Sequence, residues 1–598
     1  MLVIDVEIYK NYFLLSALQP STGKVRHFEI YDGHRFDPKQ LNAMMKSDTT
    51  ISFNGNGFDL PLIIMSIYGV NVETIKRTAD RIIVEKAPAW RILQDNNIIV
   101  PKDWDHIDII EVPSGRSSLK IYGGRLNAPK LQDLPIEPNA LITPEQRELL
   151  KEYCINDLET TWLLFQKVKK AVDLRVSMSE QYGVDLRSKS DAQIAETVIK
   201  SELEKHYGYE FRGRFIKGAR ASNITNGFRY KDPHVISFET DQLKRVFEQI
   251  KEHKFTIKEN GSVEMPDWLK KTKIKIDGAV YQMGIGGLHS SEKSQFVRAE
   301  NDMVLADWDV ASYYPNIILQ QRLVPEGLGN PFLEVYESIV KRRLAAKKAG
   351  DKVVTDTLKL VVNGSFGKLG SKYSALYSPD LLIQTTITGQ LALLMLIEQM
   401  VKHEIKVISA NTDGIVVYHH KDKQPTVDRI AWEWMLKTSY TLEDTYYSAI
   451  ASRDVNNYLA VKLDGSTKGK GCFADSGLSK NPDQPIIYTA VAERIAKGVP
   501  IETTIKGCTD ICQFVTLRQV NGGAVWRDEL LGKAVRFYSS TEVPEDEAIR
   551  YKTNGNRVPK SGGAKPLMQL PERFPNDVDY QKYIDAANKL LEEVGYSC

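Results

Sequence analysis

The stretch ISANTDGIVVY, residues 408–418, constrains the local fold almost by itself. An Asp-Gly step between two β-branched apolar runs is a strong short-range hairpin signal, and it commits this part of the chain to an antiparallel sheet. Asp413 then stands at the tip, presented by two strands. Read alone it is a turn residue, the commoner use of the pair. A hairpin tip is also a good place to hold a metal ion, so the answer depends on what else the chain brings there.

The chain has 598 residues, roughly four domains' worth at ~150 each. Apolar residues at 42% and charged residues at 26% are ordinary for globular protein. The apolar run LALLMLI (391–397) is far short of the ~20 residues of a membrane span, so no membrane association is expected. The start, MLVIDVEIYK, has no basic segment ahead of an apolar one, which gives no sign of a secretory signal. Of the five cysteines only Cys508 and Cys512 lie close, with no second pair to complete a zinc site. A cytoplasmic location is expected. The net charge of +2 excludes a uniformly basic nucleic-acid glove. Charge is uneven, however: between Lys341 and Lys372, nine residues are Lys or Arg and two are Asp. Such a stripe can hold phosphates or simply form a solvated helix face.

The patterning predicts an α/β (α+β) multidomain protein. MLVIDVEI, YFLLSAL and KVRHFEIY read as strands, and TISFNGNGFDLPLIIMSIYG as strand, turn and helix. TPEQRELLKEYCINDLETTWLLFQKVKKAV (143–172) reads as a helix, with Thr143 before Pro144 and Gln146 three residues on as a cap. A boundary is expected near 185–195. Residues 200–280 are charge-rich and give little pattern. Further strands are expected around 303–310 and 404–418, with helices at about 333–370 and 380–402. The last hundred or so residues read as alternating loop and helix.

In IDVE, Asp5 and Glu7 sit at i and i+2 of a strand and so project from one face. Two acids there repel unless a cation or solvent compensates. FNGNGFD supplies Asp59 behind Asn54 and Phe58, and YCINDLE places Asp157 one helical turn after Tyr153. Four acids from strand, turn and helix suit two Mg²⁺ ions about 3.5–4 Å apart, the arrangement that cleaves a phosphodiester, with Tyr153 orienting the water. Each piece alone is surface alternation more often than not. Their order, DxE, Nx₃FD, Yx₃D, resembles the three motifs of DnaQ-like 3′–5′ proofreading exonucleases.

In ADWDVASYYPNIIL (306–319) an apolar strand leads into Asp309, then Ser312, Tyr313, Tyr314 and Pro315, where the chain turns toward a helix. LKLVVNGSFGKLG places Lys359 and Asn363 one helical turn apart, with Gly364 and Gly367 leaving room for a flat partner. RLAAK places Arg343 and Lys347 likewise, so neighbouring helices offer three cations suited to a triphosphate.

These stretches resemble family B DNA polymerases in order and content. DVASYYP is similar to motif A (Dx₂SLYP), KLVVNGSFG to motif B (Kx₃NSxYG), and ANTDGI to motif C (DTDS). GIGGLHS (284–290) is similar to the YxGG-type segment, and RDVNNYLAVKLDGSTKGKG (453–471) to the segment carrying KxY. The resemblance implies an RNase H-like exonuclease domain followed by a right-hand palm, fingers and thumb. It assigns residues 1–190 to the exonuclease, 191–280 to a connecting region, 281–332 and 373–475 to the palm, 333–372 to the fingers, and 476–598 to the thumb and C-terminal region. It implies two Mg²⁺ per site, with Mn²⁺ as substitute: on Asp309 and Asp413 for synthesis, and on Asp5, Glu7, Asp59 and Asp157 for degradation. Arg343, Lys347, Lys359, Asn363 and Tyr314 would hold the dNTP, Tyr314 lying beneath the deoxyribose to exclude a 2′-OH. Asn54, Phe58, Gly286, Gly287, Tyr458, Lys468 and Lys470 would hold DNA. Here both readings of Asp413 agree: the hairpin presents the metal ligand.

The chain departs from the family pattern in several places. Asn411 replaces the first acid of motif C, Gly364 the motif B Ser, Phe366 its Tyr, Tyr313 a Leu, and Asn456 the Lys of KxY, for which Lys468 or Lys470 would compensate. Asp309 to Lys359 spans 50 residues and Lys359 to Asp413 spans 54, enough for a fingers hairpin and little else. A nucleic-acid primer is therefore expected rather than a terminal protein. Expected partners are primer–template DNA and dNTPs, with a phage helicase or primase and a single-strand-binding protein behind them. The expected molecule is a monomer in the host cytoplasm of a phage or mobile element. Arg536 in KAVRFYSS is read as a duplex grip or a buried structural residue. Two alternatives stand beside this reading: a 3′–5′ exonuclease whose inactive polymerase half clamps DNA, and a DNA-binding scaffold in which both acid sets are structural.

Overall fold

The computed structural model describes residues 1–208, 227–325, 327–475 and 477–596. Part of the connecting region, 209–226, lies outside the described residues. The chain is a mixed α/β multidomain protein of two compact units. One comprises Met1–Lys189, Ser476–Ile487 and Ile505–Asp585, the other Ser190–Asp475, Tyr488–Thr504 and Ala586–Cys598.

The first unit opens on a six-stranded sheet: β1 (Leu2–Ile8), β2 (Phe13–Gln19), β3 (Lys24–Tyr31), β4 (His34–Arg35), β5 (Thr50–Ser52) and β6 (His106–Asp108), in the order β4-β3-β2-β1-β5-β6. β1 to β4 form an antiparallel meander, whereas β5 and β6 run parallel to β1. Parallel pairing requires crossover helices, and helices Pro38–Ser47 and Asp59–Ile67 supply them. β1 carries buried apolar residues at Leu2, Val3, Ile4, Val6 and Ile8, which leaves Asp5 and Glu7 as its partly exposed pair. Helix Pro144–Tyr182 packs along β1 and β2 and extends ten residues past the expected end. Its start is the expected capping box, Thr143 with Gln146.

The second unit surrounds a ten-stranded sheet. A short ribbon, β7 (Phe228–Arg229) with β8 (Lys254–Phe255), precedes it. Its strands are β9 (Ile274–Ile276), β10 (Ala279–Gln282), β11 (His289–Ser290), β12 (Gln295–Arg298), β13 (Met303–Val310), β14 (Lys406–Asn411), β15 (Gly414–His420), β16 (Leu442–Asp454), β17 (Asn457–Lys462) and β18 (Thr467–Lys470). The order is β18-β17-β16-β13-β15-β14-β11-β10-β9, with β12 on β16. Helix Pro379–Lys402 is long and apolar enough to cross a membrane, but 83% of its apolar stretch is buried inside the protein, as in a core helix. The basic segment forms two helices, Asn330–Ala349 and Lys352–Lys368, separated at Gly350, whose φ of +73° ends the first.

The C-terminal region differs from the loop-and-helix expectation. It forms a five-stranded antiparallel sheet within the first unit: β19 (Thr516–Trp526), β20 (Glu529–Ser539), β21 (Ala548–Tyr551), β22 (Arg557–Gly562) and β23 (Ala564–Pro566). Bulges between Gln519 and Val525, around Gly522 and Gly523, break the period-2 signal in the sequence. Arg536 is not a duplex grip. It is fully buried, its Nε donating to Leu567 O at 2.9 Å and its Nη1 to Ala128 O at 3.1 Å.

Candidate functional sites

In the first unit β1 and helix Pro144–Tyr182 bring Asp5, Glu7 and Asp157 together. One carboxylate oxygen from each lies within 4.8 Å of the others, the one such metal-sized group among the described residues. Asp59 begins helix Asp59–Ile67, 2% exposed, and its Oδ1 accepts from the Val6 amide at 2.9 Å. That bond ties it to β1 between the two strand acids. Burial, then the repulsion of Asp157, pushes the Asp5 carboxyl up to about 7. Glu7 is pushed well up by burial and by Asp5, and Asp59 by burial, Asp5 and Asp108. Asp157 is raised by burial despite the opposing charge of Lys120.

Lys120, on helix Leu119–Arg125, is the functional candidate that sequence reading missed. Its Nζ forms an ion pair with Asp157 Oδ1 and lies 4.2 Å from the Tyr153 ring centroid. Tyr153 itself is raised by burial and by Asp157, Glu7 and Asp5, so the phenol keeps its proton and can donate. Cys154 donates Sγ to Asp5 Oδ2 at 3.4 Å. Asp108 accepts from the amides of Asn54 and Asn56 at 2.8 and 3.0 Å, and thereby holds Asn54 at φ +73°. Phe58 precedes helix Asp59–Ile67 and packs partly buried against the sheet core.

In the second unit, β13 pairs with β15 so that Asp309 lies opposite Gly414. The loop residues of the hairpin are Thr412 and Asp413, with Gly414 already in β15. Thr412 has φ +60°, and the Asp413 amide donates back to Asn411 O at 2.7 Å, a γ-turn that is costly for a β-branched residue. The Val310 amide donates to Asp413 O at 2.8 Å, locking the two acid-bearing turns together. A Cβ at Gly414 would stand 2.9 Å from Asp309 Oδ1 and from Trp308 O, so the glycine is required by close approach. Burial, then Asp413 and Asp307, pushes the Asp309 carboxyl up to about 7. Burial raises Asp413 against the opposing charge of Lys470.

Asn411 is a strut: its Nδ2 donates to Val455 O at 2.9 Å. Arg343 donates from Nη1 to Ser312 Oγ at 2.8 Å, bringing one cation to the turn after Asp309. Lys347 lies 3.6 Å from Glu443, while Lys359 and Asn363 share an exposed face of helix Lys352–Lys368. Gly364 stands where helix Asp191–Tyr207 crosses, since a Cβ there would meet Asp191 O at 2.8 Å and Ala195 Cβ at 2.9 Å. The ring of Tyr314 stacks on Phe366 with centroids 4.4 Å apart, and its hydroxyl donates to Gly286 O at 2.6 Å. Gly287 lies against the Thr412 turn, where a Cβ would be 3.0 Å from its side chain. Tyr458 has Lys468, Asp309 and Asp413 as electrostatic neighbours, and Lys470 acts on Asp413.

The Asp5, Glu7 and Asp157 carboxylates offer clustered hard oxygen donors of the kind that fit a divalent cation such as Mg²⁺ or Mn²⁺, whereas Asp309 and Asp413 contribute two such donors on the exposed end of the second sheet.

No protein-family model matches the chain. Over 127 residues, 20% of this chain and 14% of the relative, it is 28% identical to DNA polymerase 1 of Sulfolobus acidocaldarius. A solved structure of the family B DNA polymerase from the archaeon Pyrobaculum calidifontis aligns with 100% of this chain and 78% of its own, at 14% identity and a TM-score of 0.40.

Proposed function

We propose that this chain is a template-directed DNA polymerase with a separate 3′–5′ exonuclease site. The observation that carries the reading is the junction of β13 and β15, where the Val310 amide bonds Asp413 O, Asp413 repels the Asp309 carboxylate, and Arg343 donates to Ser312 in the turn that follows Asp309. The order of the sequence motifs and the similarity to an archaeal DNA polymerase support it. Divalent metal bound at such acids would activate a 3′-hydroxyl or a water and stabilise the leaving oxygen.

The chain's own residues account for the remaining tasks. Arg343, Lys347, Lys359 and Asn363 would bind the triphosphate as point charges and donors, needing no base-specific contact. Tyr314, stacked on Phe366 and anchored to Gly286, would close the space a 2′-hydroxyl needs. In the first unit the protonated Tyr153 would orient a water, and Lys120 would hold Asp157 ionised. DNA would bind mainly through phosphates, with affinity falling steeply as salt rises.

The test is a labelled primer–template incubated with Mg²⁺, with and without dNTPs. Extension with dNTPs and 3′-shortening without them is the expected result. Asp309→Asn and Asp413→Asn should stop extension while shortening continues, and Asp5→Asn and Asp157→Asn the reverse. Shortening by the wild-type chain in both lanes would refute the polymerase reading and favour a nuclease with a DNA-clamping second unit. One variant that abolishes both activities while staying folded would refute two independent sites.

A further inference from the structure

Asp307 has no part in the reading above. It lies two residues before Asp309 on β13, on the same face, with its side chain 13% exposed. A shielded carboxylate beside Asp309 is unfavourable unless a cation answers it. That cation is Lys468 on β18, three strands away in the sheet order. Lys468 Nζ donates to Asp307 Oδ2 at 3.2 Å and lies 3.3 Å from the Tyr447 hydroxyl, which itself donates to Asp307 Oδ2 at 2.8 Å. Side chains from β13 and β16 thus close on the one ammonium that β18 supplies, which keeps the capacity for a further acceptor. The neighbouring β16–β17 turn supplies no cation. Asn456 stands there uncharged, and Asn457 is engaged with Asp454 and the Cys472 amide.

We propose that Asp307 and Tyr447 are positioning residues that hold the Lys468 ammonium beside the Asp309–Asp413 face as the contact for a backbone phosphate of the primer strand. The assignment rests on the polymerase reading. A DNA phosphate fits better than the triphosphate, because the triphosphate cations would come from the helices of 330–368, whereas Lys468 pairs with Ala460 on β17, two residues from Tyr458.

The test is equilibrium binding of a labelled primed duplex over a salt series, without divalent metal or dNTP, alongside KM for primer–template and for dNTP. Lys468→Ala should lower the slope of log K against log salt by about 1 and weaken binding about tenfold. KM for primer–template should rise in step and KM for dNTP by less than twofold; Lys468→Arg should restore most of the loss. Asp307→Asn separates positioning from charge. In the Lys468→Ala background it removes a negative charge and should tighten binding, whereas with Lys468 present it frees the ammonium and should weaken binding. Tighter binding in both backgrounds, or an unchanged salt slope in Lys468→Ala, would overturn the proposal. A wild-type chain that binds with this slope yet fails to extend the primer would refute the polymerase reading and leave the phosphate contact standing.

Discussion

Asp5→Asn tests whether the first site is held in tension by its own charges. The Asp5 carboxyl is raised from its ordinary 3.8 to about 7 by burial and then by Asp157. Three pKa units at ~1.4 kcal/mol each set an upper bound of ~4 kcal/mol. Sharing of the repulsion among Asp5, Glu7 and Asp157 brings the expectation to about 2–4 kcal/mol. A carboxyl whose pKa is higher folded than unfolded binds its proton more tightly in the folded state. Its stabilising contribution is therefore complete below pH ~4 and lost as pH rises to ~7. In urea unfolding with chelator present, the wild-type transition assigned to the first unit should fall across that window. Asp5→Asn keeps the shape, removes the charge and should flatten the profile, making the variant the more stable chain at pH 8. Saturating Mg²⁺ should restore the wild type, by ~2.7 kcal/mol at a hundredfold excess over Kd, and leave the variant nearly unmoved. A variant less stable than wild type at pH 8 without metal, or one with an unchanged pH profile, would refute the reasoning.

Lys120→Met removes the cation paired with Asp157 and should slow 3′-shortening at least tenfold at pH 7, with partial recovery as pH rises and Asp157 ionises unaided; a flat difference across pH would remove the electrostatic role. Tyr314→Ala removes the ring stacked on Phe366 and should raise ribonucleotide incorporation at least tenfold relative to deoxyribonucleotide, read as a ratio of kcat/KM values; unchanged sugar selectivity would remove its assigned part. Gly414→Ala would set a Cβ 2.9 Å from the Asp309 carboxylate, so extension should fall at least tenfold while shortening persists. Full extension by that variant would show that the close approach is not needed.

What the sequence disclosed and what it concealed follows chain distance. Asp5 with Glu7, Tyr153 with Asp157, and Lys359 with Asn363 were legible because a strand's period of 2 or a helical turn decides which side chains share a face. Thr143 and Gln146 were legible for the same reason, since a cap is complete within four residues. Lys120 was not, because its partner Asp157 lies 37 positions away and nothing in LKIYG marks it. Asp108, which fixes the Asn54 turn from 54 positions away, and Asp307, whose cation is 161 positions off, were hidden likewise.

The same rule explains the C-terminal misreading. Bulged strands lose their period locally, and their pairing depends on distant partners. Arg536 resembles a surface cation in its own octapeptide and is buried only because Ala128 and Leu567 offer it carbonyls. Asp413 shows where local reading succeeds and where it stops. The Asp-Gly pair did announce a hairpin, yet the strained turn is carried by Thr412, and Gly414 is a glycine because Asp309 stands against it. The residue type was readable from the turn; the reason for it lies 105 positions upstream, on β13.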